Sequence, residues 1–228
     1  MKNVASVFFA AGLAATAGAA EPAAYPPIAD YLMPREAEVA LACSAAPAAV
    51  SARATVKVLT EKGYVVARSG DNGSVCLVMR GFTAPTYTPA RFRAIVYDPA
   101  IHAPICFTPE AARVVLPYYE LRTALAMEGK DPDQITAGVE AAYARGTLPR
   151  RDQVTFAYMW SAHQHLGPGI GAWRPHMMVF APYYTNAMLG DNPPGGPAPQ
   201  LTDDAGTPFS VVVIPVDPAL AVAVPAAR

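Results

Sequence analysis

The sequence predicts an α+β fold: a mainly antiparallel sheet, formed by a meander and a long hairpin, packed against two or three helices. Three observations lead there. Short runs rich in β-branched and aromatic residues, such as "ATVKVL", "SVCLVMRG" and "VTFAYMWS", read as strands. Two helical tracts between them open on clear start signals, Thr108-Pro109-Glu110 and Asp131-Pro132-Asp133. The 24 prolines are spread along the chain and argue against long helices or a coiled coil. The order helix, strands, helices, strands is that of an α+β domain and not of regular βαβ winding.

Taken in order, residues 1–20 read as a secretory signal peptide. Lys2 gives a positive start, Val4 to Thr16 is apolar and alanine-rich, and Gly18-Ala19-Ala20 has the small residues of a cleavage site. Cleavage near Ala20 leaves residues 21–228 as one secreted α+β domain, with export to a periplasm or beyond. Residues 21–33 are a proline-rich lead. Pro34 opens a helix that runs to about Ala46 and is stopped by Pro47. "ATVKVL", "YVVARSG" and "SVCLVMRG" then follow as strands, and Asp71-Asn72-Gly73 has the composition of a tight hairpin turn between the last two. A helix from Pro109 to about Gly129 is expected to kink at Pro117, and a second runs from Pro132 to Gly146. Small residues at Ala137, Val139, Ala141 and Ala142 suit close helix packing. "VTFAYMWS" and "HMMVFAP" pair as a long hairpin, and "FSVVVIPV" is apolar enough for an interior strand.

Composition excludes several classes. The chain is 53% hydrophobic and 15% charged, which provides a full core and excludes disorder. A formal charge of -1 offers no footprint for nucleic acid. No later stretch is apolar for long enough to span a bilayer, so no stable membrane anchor is expected. Three cysteines remain after the leader: Cys43, Cys76 and Cys106. Cys76 lies mid-strand and Cys106 at a strand end, an easy geometry to bridge, so a Cys76–Cys106 disulfide is the favoured pairing. Three buried thiols acting as small apolar side chains are the plainer alternative.

The densest chemistry lies in "SAHQHLGPGIGAWRPHMMVF", Ser161 to Phe180, which holds three of the four histidines. His163 and His165 would share a side if both lay on a strand, and His176 could add a third nitrogen, giving a zinc site with one open position for water. No HExxH or CxxC accompanies them, so loop histidines beside one strand histidine are the alternative. Ser161 stands near these histidines, but no GxSxG elbow exists. The adjacent carboxylates are explained by turns and helix caps. "GPGIG" opens no helix and has no phosphate-binding amides to offer. Trp160 and Trp173 flank the loop, so Tyr158, Trp160, Trp173 and His176 together outline a small apolar pocket with a polar edge.

The stretches "TVKVLTEKGYVVARSGDNGSVCLVMRG", "APICFTPEAARVVLP" and "WRPHMMVFAP" resemble an uncharacterised family of exported bacterial proteins with no assigned function. The resemblance covers roughly residues 34–216. Its recurring segment is a tryptophan-x-proline-histidine tract, here Trp173-Arg174-Pro175-His176. "SAHQH" departs from the family pattern, which leaves His176 as the better single residue. The resemblance also implies the Cys76–Cys106 pairing over either pairing with Cys43. The expected function is therefore a non-catalytic exported domain without cofactor that binds a small molecule or a periplasmic partner. The alternative is a hydrolase, with His176 as general base or with zinc held by His163, His165 and His176.

Overall fold

The computed structural model describes residues 27–83, 97–166, 171, 174–193, 196–201 and 205–224. The expected signal peptide, Trp173 and most of the "GPGIG" loop lie outside these residues. Among the described residues, eight strands form one sheet in the order β2-β1-β3-β4-β5-β6-β8-β7. They are β1 (Thr55–Thr60), β2 (Gly63–Arg68), β3 (Val75–Met79), β4 (Ala103–Phe107), β5 (Thr155–Met159), β6 (His176–Phe180), β7 (Gln200–Leu201) and β8 (Val211–Pro215). All neighbours pair antiparallel except β1 and β3. Five α-helices pack against the sheet: α1 (Arg35–Cys43), α2 (Ala48–Ser51), α3 (Pro109–Val114), α4 (Leu116–Met127) and α5 (Pro132–Ala144). The fold class is the expected α+β, with helices on both faces.

The two faces follow from side-chain alternation along the strands. Cys76, Val78 and Cys106 point to one face, where α1, α2 and the turn between them bring Leu41, Ala42, Ala45 and Val50. Leu77, Met79, Ile105 and Phe107 point to the other and form the main core with α3, α4 and α5. This two-sided cover explains why β3 and β4 are apolar at nearly every position and do not alternate.

The meander is corrected at its third strand. β2 pairs with β1 as a hairpin, but β3 runs parallel to β1 on its other side, with Thr55 opposite Val75 and Val56 opposite Cys76. Asp71-Asn72-Gly73 is therefore a crossing and not a hairpin turn. The chain passes directly over the start of β1. A Cβ on Gly70 would stand 2.3 Å from the Arg53 oxygen and the Thr55 nitrogen, so only glycine permits this approach. The crossing is tied down by the Asp71 amide, which donates to the Arg53 carbonyl at 2.9 Å, and by the Asn72 side-chain amide, which donates to the Val50 carbonyl at 2.9 Å. Gly73 takes a φ of 74°, the positive value that the turn composition anticipates.

The helical tracts behave largely as their punctuation demands. The tract expected to kink at Pro117 breaks two residues earlier: Val115, at φ -105°, separates α3 from α4, and Pro117 sits in the first turn of α4. Asp131 closes a capping box on α5, accepting from the Gln134 amide at 2.8 Å while Gln134 Oε1 accepts from the Asp131 amide at 3.1 Å. Thr108 does not cap α3 through its side chain. Its hydroxyl donates to the Phe156 carbonyl at 2.8 Å and so fixes α3 to β5. The β5–β6 hairpin forms as expected, from Thr155 opposite Phe180 to Met159 opposite His176, and β8 is interior between β6 and β7.

Cys76 and Cys106 stand opposite each other on β3 and β4 and are joined by a disulfide, with Cα atoms 3.9 Å apart. Cys43 is the free cysteine. The bond closes a separation of 30 residues, which constrains the unfolded chain by about 3–4 kcal/mol. No helix among the described residues is long and apolar enough to cross a membrane.

Candidate functional site

The structure separates the three histidines of the long hairpin. His163 and His165 lie past the end of β5 and are exposed, whereas His176 begins β6 and is 1% exposed. Among the described residues no group of three His, Cys, Asp or Glu side chains is placed to hold a metal ion, and these three do not form one. The same-side rule that would unite His163 and His165 applies only within a strand, and β5 ends at Met159. His165 is instead held through its backbone, exchanging hydrogen bonds of 2.9 and 3.0 Å with His102, the fourth histidine.

His176 is enclosed. Its Nδ1 lies 2.9 Å from the Arg174 carbonyl, which only accepts, so Nδ1 carries the proton and donates. Burial pushes the imidazole pKa down to about 4, so the ring is neutral at physiological pH. Ser161 is also fully buried. Its hydroxyl shares a 2.7 Å hydrogen bond with the Ser44 hydroxyl and accepts from the His163 amide at 3.1 Å, which makes it a lock between α1's end and the hairpin. Trp160 and Tyr158 are half-buried, with rings 5.6 Å apart and edge-on. The Trp160 backbone bonds to Ala45 and Val222, bringing the C-terminal segment against this end of β5.

Two clefts open elsewhere, on the β1–β2 side of the sheet, separated from β5 by β3 and β4. One, of about 280 Å³, is walled by Tyr31, Phe82 and Tyr97. The other, of about 480 Å³, is rimmed by Lys57, Lys62, Glu120 and Glu128. Both touch Ile28 and Met127, so they adjoin there, an aromatic half beside a charged half of a furrow. The aromatic half is built firmly. Tyr31 and Phe82 rings stand 5.0 Å apart, and the Tyr31 hydroxyl donates to the Tyr97 carbonyl at 2.7 Å. Burial, with Asp98 and Asp30 adding to it, pushes the Tyr31 phenol up to about 12, so it stays a neutral donor. Lys57 and Glu120 form an ion pair at the charged rim.

Behind the furrow lies a fully buried ion pair. Arg80 Nη2 is 3.0 Å from Glu38 Oε1, and both side chains are 0% exposed. Arg80 also donates to the Tyr31 carbonyl at 2.8 Å and the Val78 carbonyl at 2.6 Å, and Glu38 accepts from the Leu59 amide at 3.1 Å. The pair therefore joins α1, β1, β3 and the Tyr31 segment in one network. Sequence reasoning missed the furrow because its walls come from five separate segments. Its one local signal was the tyrosine-rich lead "EPAAYPPIADYLM".

No family model matches the chain, and neither a curated protein nor a solved structure matches it.

Proposed function

We propose that the chain is an exported, non-catalytic binding protein whose small ligand lies in the furrow through Ile28 and Met127. The observation that carries this reading is an aromatic cleft adjoining a charged one at Ile28 and Met127, which suits a ligand with an apolar body and a polar end. Among the described residues that line it there is no histidine, cysteine, serine or threonine, so these residues offer the furrow no serine- or cysteine-type nucleophile and no imidazole base. The hydrolase reading draws little support from His176, which is enclosed, neutral and engaged with the Arg174 carbonyl.

The test is a screen of small aromatic amines and acids against uniformly labelled protein, read by amide chemical shifts. Binders are expected to move Ile28, Tyr97 and Met127 and to leave His176 unmoved. A Met127→Trp variant, which fills the junction, should lose them. A screen in which every binder maps to Trp160 and His176 would return the site to the hairpin and overturn the furrow.

A further inference from the structure

Arg122 lies on the core face of α4, beside Tyr118 and Tyr119, and is 0% exposed. None of its three guanidinium nitrogens has a hydrogen-bond partner. A guanidinium does not shed its proton within a protein, so this is a permanent charge in the core. Arg80 shows what the fold does elsewhere with a buried arginine: it supplies Glu38 and two carbonyls. Arg122 receives neither.

A second cation faces the same ring. The Arg122 guanidinium carbon is 6.0 Å from the Tyr118 centroid, and that of Arg151 is 5.7 Å from it. Arg151 is also 5.0 Å from the Phe209 centroid and 5.5 Å from that of Phe180, so it sits in an aromatic cage. Its Nε has no partner. Two buried hydroxyls border the cage: that of Thr155 lacks a partner, and that of Tyr143 faces the Arg151 guanidinium. Tyr143 Oη belongs to a ring 5.4 Å from Phe209, and Thr155 Oγ1 belongs to the residue opposite Phe180 on β5. Among the described residues no carboxylate pairs with either arginine. The region thus gathers two cations and two hydroxyls, with no anion among the described residues.

We propose that Arg122 and Arg151 form a buried binding site for a small oxyanion, a carboxylate, phosphate or sulfate group, with Tyr143 and Thr155 as further donors. Rings alone satisfy charge but not the in-plane N–H groups, and water satisfies N–H groups but not charge. An oxyanion does both, because it is an acceptor at every oxygen and matches the planar fork of arginine. The partly open side of the cage is at Arg151, which retains 8% exposure and lies between α5 and β5. Arg122 occupies a different face of α4 from Glu120 and Ala124, which line the furrow, so this site stands or falls apart from that one.

The experiment is thermal unfolding of the full chain in sodium sulfate and in sodium phosphate, each against sodium chloride at matched ionic strength. Both multivalent anions also stabilise proteins generally by exclusion from the surface. The signature of a site is therefore a saturable rise that Arg122→Met abolishes. At a hundredfold excess over Kd the rise is expected to be about 5–10 °C. Arg122→Met should unfold at or above the wild-type temperature in chloride and keep only the non-saturating slope in sulfate. Should that variant fail to fold, Arg122→Lys, which keeps the charge but loses the fork, is expected to bind sulfate at least tenfold more weakly. A wild-type response that never saturates, or an Arg122 variant that responds as wild type does, would overturn the proposal.

Discussion

The Arg80–Glu38 pair yields a quantitative test of how this core is held. In Arg80→Met the apolar stem is kept and the charge removed. Glu38, at 0% exposure, then retains the Leu59 amide but loses its counter-ion. The Tyr31 and Val78 carbonyls lose a donor each. Breaking a buried pair by removing one partner costs about 3–5 kcal/mol. For a chain of 228 residues that corresponds to a fall in Tm of about 6–20 °C. The double variant Glu38→Leu with Arg80→Met removes both charges and should recover to within about 2 kcal/mol of wild type, the remainder being the two carbonyls and the Leu59 amide. Urea unfolding of wild type, both single variants and the double variant closes the cycle. The pH adds a second reading. Burial already pushes the Glu38 carboxyl up, against the pull of Arg80, and removing Arg80 raises it further. A carboxyl raised in the folded state contributes most below its unfolded pKa and loses that contribution as pH rises through the folded value. Arg80→Met should thus lie closer to wild type at pH 4 than at pH 7. A single-variant loss below about 1 kcal/mol, or single losses that simply add in the double variant, would refute the argument.

Four further outcomes are expected. His176 is held down at about 4 by burial, so the unfolded chain binds its proton first; stability is full above pH 6.5 and falls by up to about 3 kcal/mol as pH drops to 4. His176→Asn should flatten that part of the curve, and an unchanged curve would show that the ring is not buried. Unfolded, unreduced protein should show one titratable thiol, Cys43, and reduction should lower stability by about 3–4 kcal/mol; finding three thiols would contradict the bond. Gly70→Ala forces a Cβ into the Arg53–Thr55 backbone and should cost at least about 3 kcal/mol in chemical denaturation, whereas Gly146→Ala meets open space and loses only the cost of a positive φ. Asp131→Ala removes one half of the capping box and should cost about 1 kcal/mol by thermal melting.

What the sequence disclosed and what it hid divide along a physical line. Local signals were readable. The Asp-Pro-Asp start of α5, an interruption of the helix near Pro117 and the β5–β6 hairpin each depend on residues close in sequence. The pairing of β3 did not, because "SGDNG" fits a hairpin and a crossing equally well in composition. The discriminating residue was Gly70, whose reason for being glycine lies on the backbone of β1. Buried charge was hidden for a similar reason. Glu38, Arg80 and Arg122 look like surface residues by type, and their partners, or lack of them, are set by distant segments. Arg122 left one trace: it falls on the helical stripe of Tyr118, Tyr119 and Ala126. The histidines misdirected attention because they cluster in sequence, while the end of β5 at Met159 parts them in space.

The crossing at Gly70 decides which strand the sheet leaves at its margin. In a meander, β1 would be the outermost strand; here β2 is, with Val65 and Val66 at 37% and 50% exposure, while Val56 and Val58 of β1 are at 0% and 3%. Opening of this margin therefore starts by peeling β2 from β1, an event that breaks one ladder and leaves the disulfide-bonded pair of β3 and β4 untouched. Amide hydrogen exchange should be graded accordingly, fastest in β2, slower in β1 and slowest in β3 and β4. A protease admitted at this edge would meet Arg68 before any residue of the core.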